Sequence, residues 1–513
     1  MKILFATSHF GFLRNFEFAI RELARRGHQF RLMADRSEKL GGRRTIENLV
    51  ADYSSAITLV QGPKIKDTTW QPLGSALRLT QDYCHYLHPR YDRSLKLRAR
   101  AAAQAPSVAV RLARAPLMCS QPGLRFLRRS AHAVEQSLPV SQEVIQFLQA
   151  EGPDLLLVTP LLYFGSQQVE YVRAARLLGI RSVLCVGSWD HLTTKGLVHA
   201  IPDRILVWNE AQRKEASQIH SIDPEQVTVT GAQAYDHWFT ATPSVPRESF
   251  TRRIGLRTDQ PILLYLCSSP FITPHEVGFV KRWIEGMRSS PLKELQEVGV
   301  LVRPHPQNVE QWTDVDLSSM GNVVVWPRGG ANPVDAEARA EYFDSMYYSA
   351  AVIGVNTSGL IESAIVGRMV YTILDSEFAS TQEGTLHFRH LQNVNGGLLH
   401  VASSFEDHYG QLRDLLSGRL QGDDRAKHFI EAFIRPHGLN VAAANIFAEA
   451  VESEAARDQI PVMSNPEPKI WHRVLYPLAL AVQAETRRRR ASARRVKNEE
   501  VFRDKDIHPE ETQ

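Results

Sequence analysis

The chain is predicted to fold as an α/β protein whose two Rossmann-like domains face each other across a cleft. Three observations predict it. Short apolar runs, β-branched and without polar alternation, recur between stretches of helical periodicity, as parallel strands buried on both faces require. The segment Thr242-Pro243-Ser244-Val245-Pro246 divides these runs into two series and reads as a linker. In the second series, Ala350–Ile373 reads as strand, polar turn, short helix and strand, a complete βαβ unit.

The first domain, 1–241, opens on the strand Lys2–Ala6, followed by an amphipathic helix over Asn15–Arg26 with Phe16, Ala19, Ile20 and Leu23 on one face. Gly27 takes the position after that helix, where a left-handed backbone ends it, and Arg25 and Arg26 complement its dipole. Further strands are expected at Gln29–Met33, Ala56–Val60, Asp154–Thr159, Ser182–Val186, Arg204–Trp208 and Val227–Thr230. Between His88 and Ser130 the pattern becomes that of a basic helical insertion, with ten Lys and Arg against the single acid Asp92. The second domain, 247–451, carries strands at Ile262–Leu266, Val300–Val302, Val323–Val325, Ala351–Gly354 and Val370–Ile373. A basic tail, 461–513, follows and is expected to be flexible or helical.

Length and composition narrow the function classes. A chain of 513 residues exceeds one hydrophobic core and suits two domains with additions. Its 43% hydrophobic and 23% charged residues are ordinary for a globular protein, and the net charge of +4 is small but unevenly spread. The four apolar residues Ile3–Ala6 are too few for a signal-peptide core, and the longest apolar stretches, near Leu155–Val158 and Leu475–Val482, fall short of a membrane span. Cys84, Cys119, Cys185 and Cys267 are scattered and read as reduced thiols of a cytoplasmic protein. The absence of GxGxxG after the first strand argues against a dinucleotide oxidoreductase. Asp314-Val315-Asp316 is spelled like a metal-binding DxD motif but lies in a polar stretch and is read as loop; no metal and no cofactor are expected.

Chemistry gathers at two strand ends in the second domain. Leu301-Val302 runs into Arg303-Pro304-His305-Pro306, which supplies cationic donors. Ala351–Gly354 runs into Asn356-Thr357-Ser358-Gly359, where hydroxyls and free amides begin a helix. A glycine there lets backbone approach a ligand, so the pair suggests a diphosphate held between the two ends.

These motifs, in order, resemble those of the GT-B superfamily of nucleotide-sugar glycosyltransferases, with its relatives the UDP-N-acetylglucosamine 2-epimerases and CDP-glycerol glycerophosphotransferases. The opening KILFATSHFGFLRNFEFAIRELARRGHQF is similar to their first βαβ unit, and RILVWNEAQRKEA with QVTVTGAQAYD to the end of their N-terminal domain. RPHP and NTSGLIESAIVGR resemble the His-Pro and Ser motifs of capsule, sialic acid and glycerophosphate transferases, and EFASTQEG the loop that grips donor sugar hydroxyls. Gly187–Gly196 matches no well-described family. The resemblance implies donor-phosphate binding by Arg303, His305, Thr357, Ser358 and Gly359, joined by Ser268 and Ser269 at the end of strand Ile262–Leu266. It implies ribose or sugar contacts from Glu362, Glu377, Gln382 and Glu383. An inverting transferase needs a base on the acceptor side, and Asp190, ahead of His9 and His191, is the expectation.

The expected function is thus transfer of a sugar from a nucleotide-activated donor to a glycan or lipid-linked acceptor of the cell surface. CDP-glycerol-type glycerophosphate transfer and 2-epimerisation of a UDP-sugar are the alternatives within the fold; a non-catalytic membrane-surface protein is the alternative outside it. Both basic segments lack the aromatic interleaving of a single-strand binder, so no nucleic-acid partner is expected. Arginines beside apolar residues fit an anionic membrane, which places the chain in the cytoplasm or peripherally on the inner membrane face.

Overall fold

Every strand in the described part of the chain pairs in parallel, and the pairings make two sheets. The computed structural model describes residues 1–37, 42–65, 70–330, 332–333, 335–419, 424–458, 460–462, 473–485 and 488. The first sheet contains β1 (Lys2–Thr7), β2 (Gln29–Ala34), β3 (Ile57–Leu59), β4 (Leu155–Thr159), β5 (Arg181–Cys185), β6 (Arg204–Val207) and β7 (Val227–Val229), in the order β3-β2-β1-β4-β5-β6-β7. The second contains β8 (Ile262–Leu266), β9 (Gly299–Arg303), β10 (Val323–Val325), β11 (Ala351–Gly354), β12 (Met369–Ile373) and β13 (Leu399–Ala402), in the order β10-β9-β8-β11-β12-β13.

Both are Rossmann-like, with strand order reversing beside the first strand, between β1 and β4 and between β8 and β11. Ligand crevices form beyond the C-terminal strand ends at such points. The apolar runs are buried along their whole length in β4, β8 and β9, because helices cover both faces of each sheet.

The structure differs from the sequence reading in four places. The first helix is α-helical only over Glu17–Arg25; Phe10–Phe16 winds as a tighter 3-10 turn that buries Leu13 and Phe16. Gly27, at φ +88°, ends the helix as expected. β13 was not expected: its four residues include the half-buried His400 and carry no strong periodicity, so only the edge of a formed sheet recruits it. Helical structure around the basic insertion runs more widely than 88–130, from Trp70 to Gln136.

The fourth difference concerns the second domain, read as ending at Val451. The helix Ala443–Ala455 crosses back and buries Phe447, Ala448 and Val451 on the first sheet. Asp236 caps its start through the amides of Ala443 (3.0 Å) and Ala444 (2.8 Å), and Glu454 near its end pairs with Arg181 and Arg204. Most of the basic tail lies outside the described residues; within it, 473–485 is helical and packs Ala479 against Leu73 and Leu138.

The helical insertion also joins the domains. Arg93 pairs with Glu383 at 3.2 Å, Ser94 donates to the carbonyl of Gly384, and the Lys96 ammonium donates to the carbonyl of Phe271 at 3.1 Å. On the other side Asp82 receives the amide of Leu197 (2.8 Å) and Tyr86 donates to the carbonyl of Lys195, so the insertion braces the loop after β5.

Candidate functional site

Between the two sets of strand ends lies a cavity of about 500 Å³. The first domain lines it with Arg14, Asn15, Gly187, Ser188 and Tyr235, the second with Arg303, His305, Thr357, Ser358 and Glu362. The loops after β1 and β5 are tied together there: Asn15 donates to the carbonyl of Gly187 at 2.8 Å, and Gln212 to that of Ser188 at 3.0 Å. Five expected site residues therefore share one cleft, and their surroundings alter the roles foreseen for some of them.

Arg303 is buried, and its guanidinium is already engaged by Ser345 Oγ (2.8 Å) and Glu341 (3.4 Å) above the ring of Tyr342. It shapes the wall more than it offers free charge. His305 Nδ1 accepts the amide of Gln307 at 3.1 Å, which leaves the proton of the neutral ring on Nε2. Burial, with the Arg14 charge adding to it, lowers His305 to about 4, so near neutrality it is a neutral donor and not a cation. Arg14 also lines the cleft; its field reaches His305, Glu362 and Tyr235, and its guanidinium bonds Asn332 at 3.3 Å.

Ser358 opens the helix Gly359–Ile365 without capping it through its side chain, so the exposed hydroxyl faces the cleft beside Thr357. Gly359 serves packing instead of ligand approach: a Cβ there would stand 2.7 Å from Leu266 Cδ1 and 2.9 Å from Tyr342 Oη. Glu362, one turn on, accepts Tyr342 Oη at 2.7 Å, and burial raises its carboxyl above the ordinary range. Ser268 and Ser269 do not line the cleft. Buried Ser268 is a brace, receiving the Asn356 amide on Oγ at 3.3 Å and donating its own amide to Glu276 at 2.9 Å. The Ser269 carbonyl accepts the amides of Ile272 and Thr273.

The polar side chains expected at the sugar, in the loop after β12, are engaged within the protein. Glu377 is exposed and pairs with Arg282 at 3.2 Å. Gln382 is fully buried and donates to the carbonyls of Ile373 (3.0 Å) and Val355 (3.3 Å), fastening β11 to β12. Glu383 holds Arg93 of the insertion. These polar residues are consumed by tertiary contacts that local sequence does not reveal.

On the acceptor side Asp190 is held by Lys195 (3.6 Å) and by the hydroxyls of Ser188 (2.5 Å) and Thr194 (2.8 Å). Burial pushes its carboxyl up, but Lys195, His191 and His387 together outweigh that and hold it well below the usual range. His191 is buried and lowered to about 4 by that burial. His9 follows β1, half-buried, its ring 4.3 Å from that of Phe12; Phe12 in turn meets Tyr163 (5.5 Å) and His191 (5.8 Å). The segment Gly187–Gly196, without a family likeness, sends Trp189 across the cleft to pack 4.8 Å from His387 of the second domain.

Arg14, Asn15, Tyr235 and Tyr342 were missed by sequence reasoning. Arg14 and Asn15 stand between the first strand and the body of the first helix, and Tyr235 lies within the QVTVTGAQAYD stretch, but no local pattern marks any of the four as facing a ligand. Asp314-Val315-Asp316 is loop, with Asp316 accepting the Ser318 amide at 2.9 Å. Among the described residues no group of three or more His, Cys, Asp or Glu could hold a metal ion, and no helix is long and apolar enough to cross a membrane.

No protein-family model and no curated protein matches the chain. Solved structures do. A glycosyltransferase from Rickettsia africae ESF-5 aligns at 8% identity and a TM-score of 0.50, covering 89% of this chain and 99% of that one. The UDP-GlcNAc 2-epimerase from Neisseria meningitidis, bound to UDP-GlcNAc, aligns at 11% identity and 0.48 over 88% and 100%. WaaG, a glycosyltransferase involved in lipopolysaccharide biosynthesis, aligns at 14% identity and 0.44 over 89% and 100%. At 8% identity and a TM-score of 0.50, the likeness to the Rickettsia protein is one of fold alone.

Proposed function

We propose that the chain is a glycosyltransferase that binds a nucleotide-activated sugar in the interdomain cleft and transfers the sugar to a glycan or lipid-linked acceptor of a cell-surface polysaccharide. One observation carries the reading: a single cavity of about 500 Å³ at both switch points brings a cation (Arg14), a neutral N–H donor (His305) and an unengaged hydroxyl (Ser358) into one space.

The chemistry follows from those groups. As the sugar–phosphate bond breaks, its electron pair stays on the nucleoside diphosphate, and Arg14, His305 Nε2–H and Ser358 stabilise the charge that develops. The acceptor hydroxyl loses its proton as it bonds to the anomeric carbon. We assign that proton to His9, which follows β1 and whose ring packs 4.3 Å from that of Phe12. Asp190, tied to Lys195, is too weak a base for the step and anchors the loop after β5. No metal is required in this scheme, since Arg14 and the donors supply the positive potential.

Epimerisation needs a set of carboxyl groups in the cleft. The acids lining it are Glu362 and Glu17, and Glu17 is neutralised by Arg21 (3.0 Å) and Arg339 (3.2 Å). That favours transfer. Thermal-shift and calorimetric titration with UDP, CDP, CMP and their linked sugars test the reading; a donor that binds stabilises the fold. Nucleotide binding lost in Arg14→Ala supports it, and the absence of any nucleotide binding sinks it in favour of a non-catalytic membrane protein. Incubation of UDP-GlcNAc in heavy water without acceptor separates the alternatives, because epimerisation alone exchanges the C2 proton.

A further inference from the structure

A second and larger cavity, about 850 Å³, lies in the first domain, outside the interdomain cleft. One part is polar and consists of strand ends: Ser8 after β1, Arg36 after β2, and Tyr163 after β4. The rest is apolar and formed by helices, with Leu77 of Trp70–Tyr86, Ala109 and Leu112 of Ser107–Arg114, and Leu478 of the 473–485 helix. Its size falls within the range of ligand sites.

The two parts differ in what surrounds them. Around the apolar part, Val108 and Leu112 are 58% and 46% exposed, with Leu117 at 87% and Phe126 at 62% nearby in sequence. Arg111, Arg114, Arg125 and Arg129 on the same helices are also exposed, and Asp92 is the one acid between His88 and Ser130. Apolar side chains set among arginines suit a surface that meets anionic lipid. At the polar part, the Arg36 guanidinium lies 5.5 Å above the Tyr163 ring and donates to Ser8 Oγ at 3.4 Å. Asp35 beside it is exposed and accepts the hydroxyl of Tyr171 at 3.3 Å. Phe12 and Tyr163 then lead from this end to His9.

We propose that this cavity seats the hydrocarbon chain of a lipid-linked acceptor, with the lipid phosphate at Arg36 and Ser8 and the chain against Leu77, Ala109 and Leu112. The word acceptor rests on the transferase reading; the hydrocarbon seat does not. A chain lying this way enters from the exposed helices and directs its phosphate-linked sugar towards His9 and the donor cleft.

The test is calorimetric titration of the full chain with octyl, decyl and dodecyl phosphate, and with farnesyl phosphate, below their micelle concentrations, with UDP titrated in parallel. Expected are one saturable site, affinity rising about tenfold for every two methylenes, and at least a tenfold loss in Val108→Asp/Leu112→Asp with UDP affinity unchanged. Arg36→Ala should weaken dodecyl phosphate at least fivefold and leave neutral monolaurin unaffected. Tighter farnesyl phosphate points to an isoprenoid carrier and tighter dodecyl phosphate to an acyl lipid; both support the seat. If the double variant does not fold, Ala109→Leu fills the cavity without charge and should produce the same loss. No saturable alkyl-phosphate site, binding unmoved by these variants, or attachment to vesicles alone overturns the proposal. Alkyl phosphate bound without UDP leaves the seat standing and removes the transferase reading, while UDP bound without alkyl phosphate does the reverse.

Discussion

Lys195 Nζ lies 3.6 Å from Asp190 Oδ2, and the hydroxyl of Thr194 donates to the same oxygen at 2.8 Å. The carboxylate that local sequence offers as a base is thereby fixed in its ionised state. Its folded pKa is below the ordinary value near 4, so its contribution to stability is present above that pH and is lost as pH falls through the folded value. Asp190→Asn should destabilise the protein by about 1–2 kcal/mol at pH 7, and the gap to wild type should narrow at pH 3 in denaturant titrations. Its turnover should fall less than about tenfold, against about a hundredfold or more for His9→Ala. The reverse ranking in steady-state kinetics would return the base to Asp190.

Arg14 and Arg303 both line the cleft, and Arg303 is anchored to Glu341 of its own domain. Arg14→Ala should weaken nucleotide binding by at least about tenfold, the loss of a hydrogen bond between charged groups. Arg303→Ala should instead destabilise the fold by about 3 kcal/mol, since Glu341 loses its partner. Calorimetry and thermal melts on the two variants distinguish these roles.

His305 is neutral at physiological pH, lowered to about 4 against an unfolded value near 6.5. Because the unfolded chain takes up this proton first, the resulting loss of stability begins as pH falls below about 6.5 and is complete near 4. Nitrogen NMR should show no titration of the ring between pH 8 and 6. His305→Ala should cost about tenfold in donor affinity, and His305→Gln, which keeps an N–H donor, should recover part of it.

Gln382 is bound into the sheet and not into the site. Gln382→Ala leaves the carbonyls of Ile373 and Val355 without their donor and should lower stability by about 2 kcal/mol. Nucleotide affinity should stay within about twofold. A large loss of affinity without loss of stability, read by calorimetry and melting, would place the amide in the donor site.

The exposed arginines of the insertion should give salt-reversible binding to anionic vesicles, each contributing about 1 kcal/mol near the surface. Reversing Arg111, Arg114, Arg125 and Arg129 to Glu should abolish co-sedimentation at low salt, and raising ionic strength should release the wild type. Retention of the reversed variant on the vesicles would assign attachment to the apolar side chains alone.

The amino-acid pattern alone specifies the two domains, since runs such as Leu155–Thr159 and Ile262–Leu266 can bury both faces only in a covered parallel sheet. It also determined that Arg303, His305 and Ser358 stand at strand ends, because a strand that stops at Pro or at an N-cap fixes where its last residues project. What those residues can do depends on the neighbours that folding brings to them. Whether Arg303 offers its charge or spends it on Glu341, whether Gln382 faces ligand or backbone, and whether Asp190 is free or paired to Lys195 depend on partners up to 42 residues away. Arg14 bears on His305 and Glu362 because the fold sets the two domains side by side. Periodicity is a property of one segment and survives in the sequence; desolvation and pairing are properties of the neighbours that folding supplies, and they set the ionisation of His305 and Glu362.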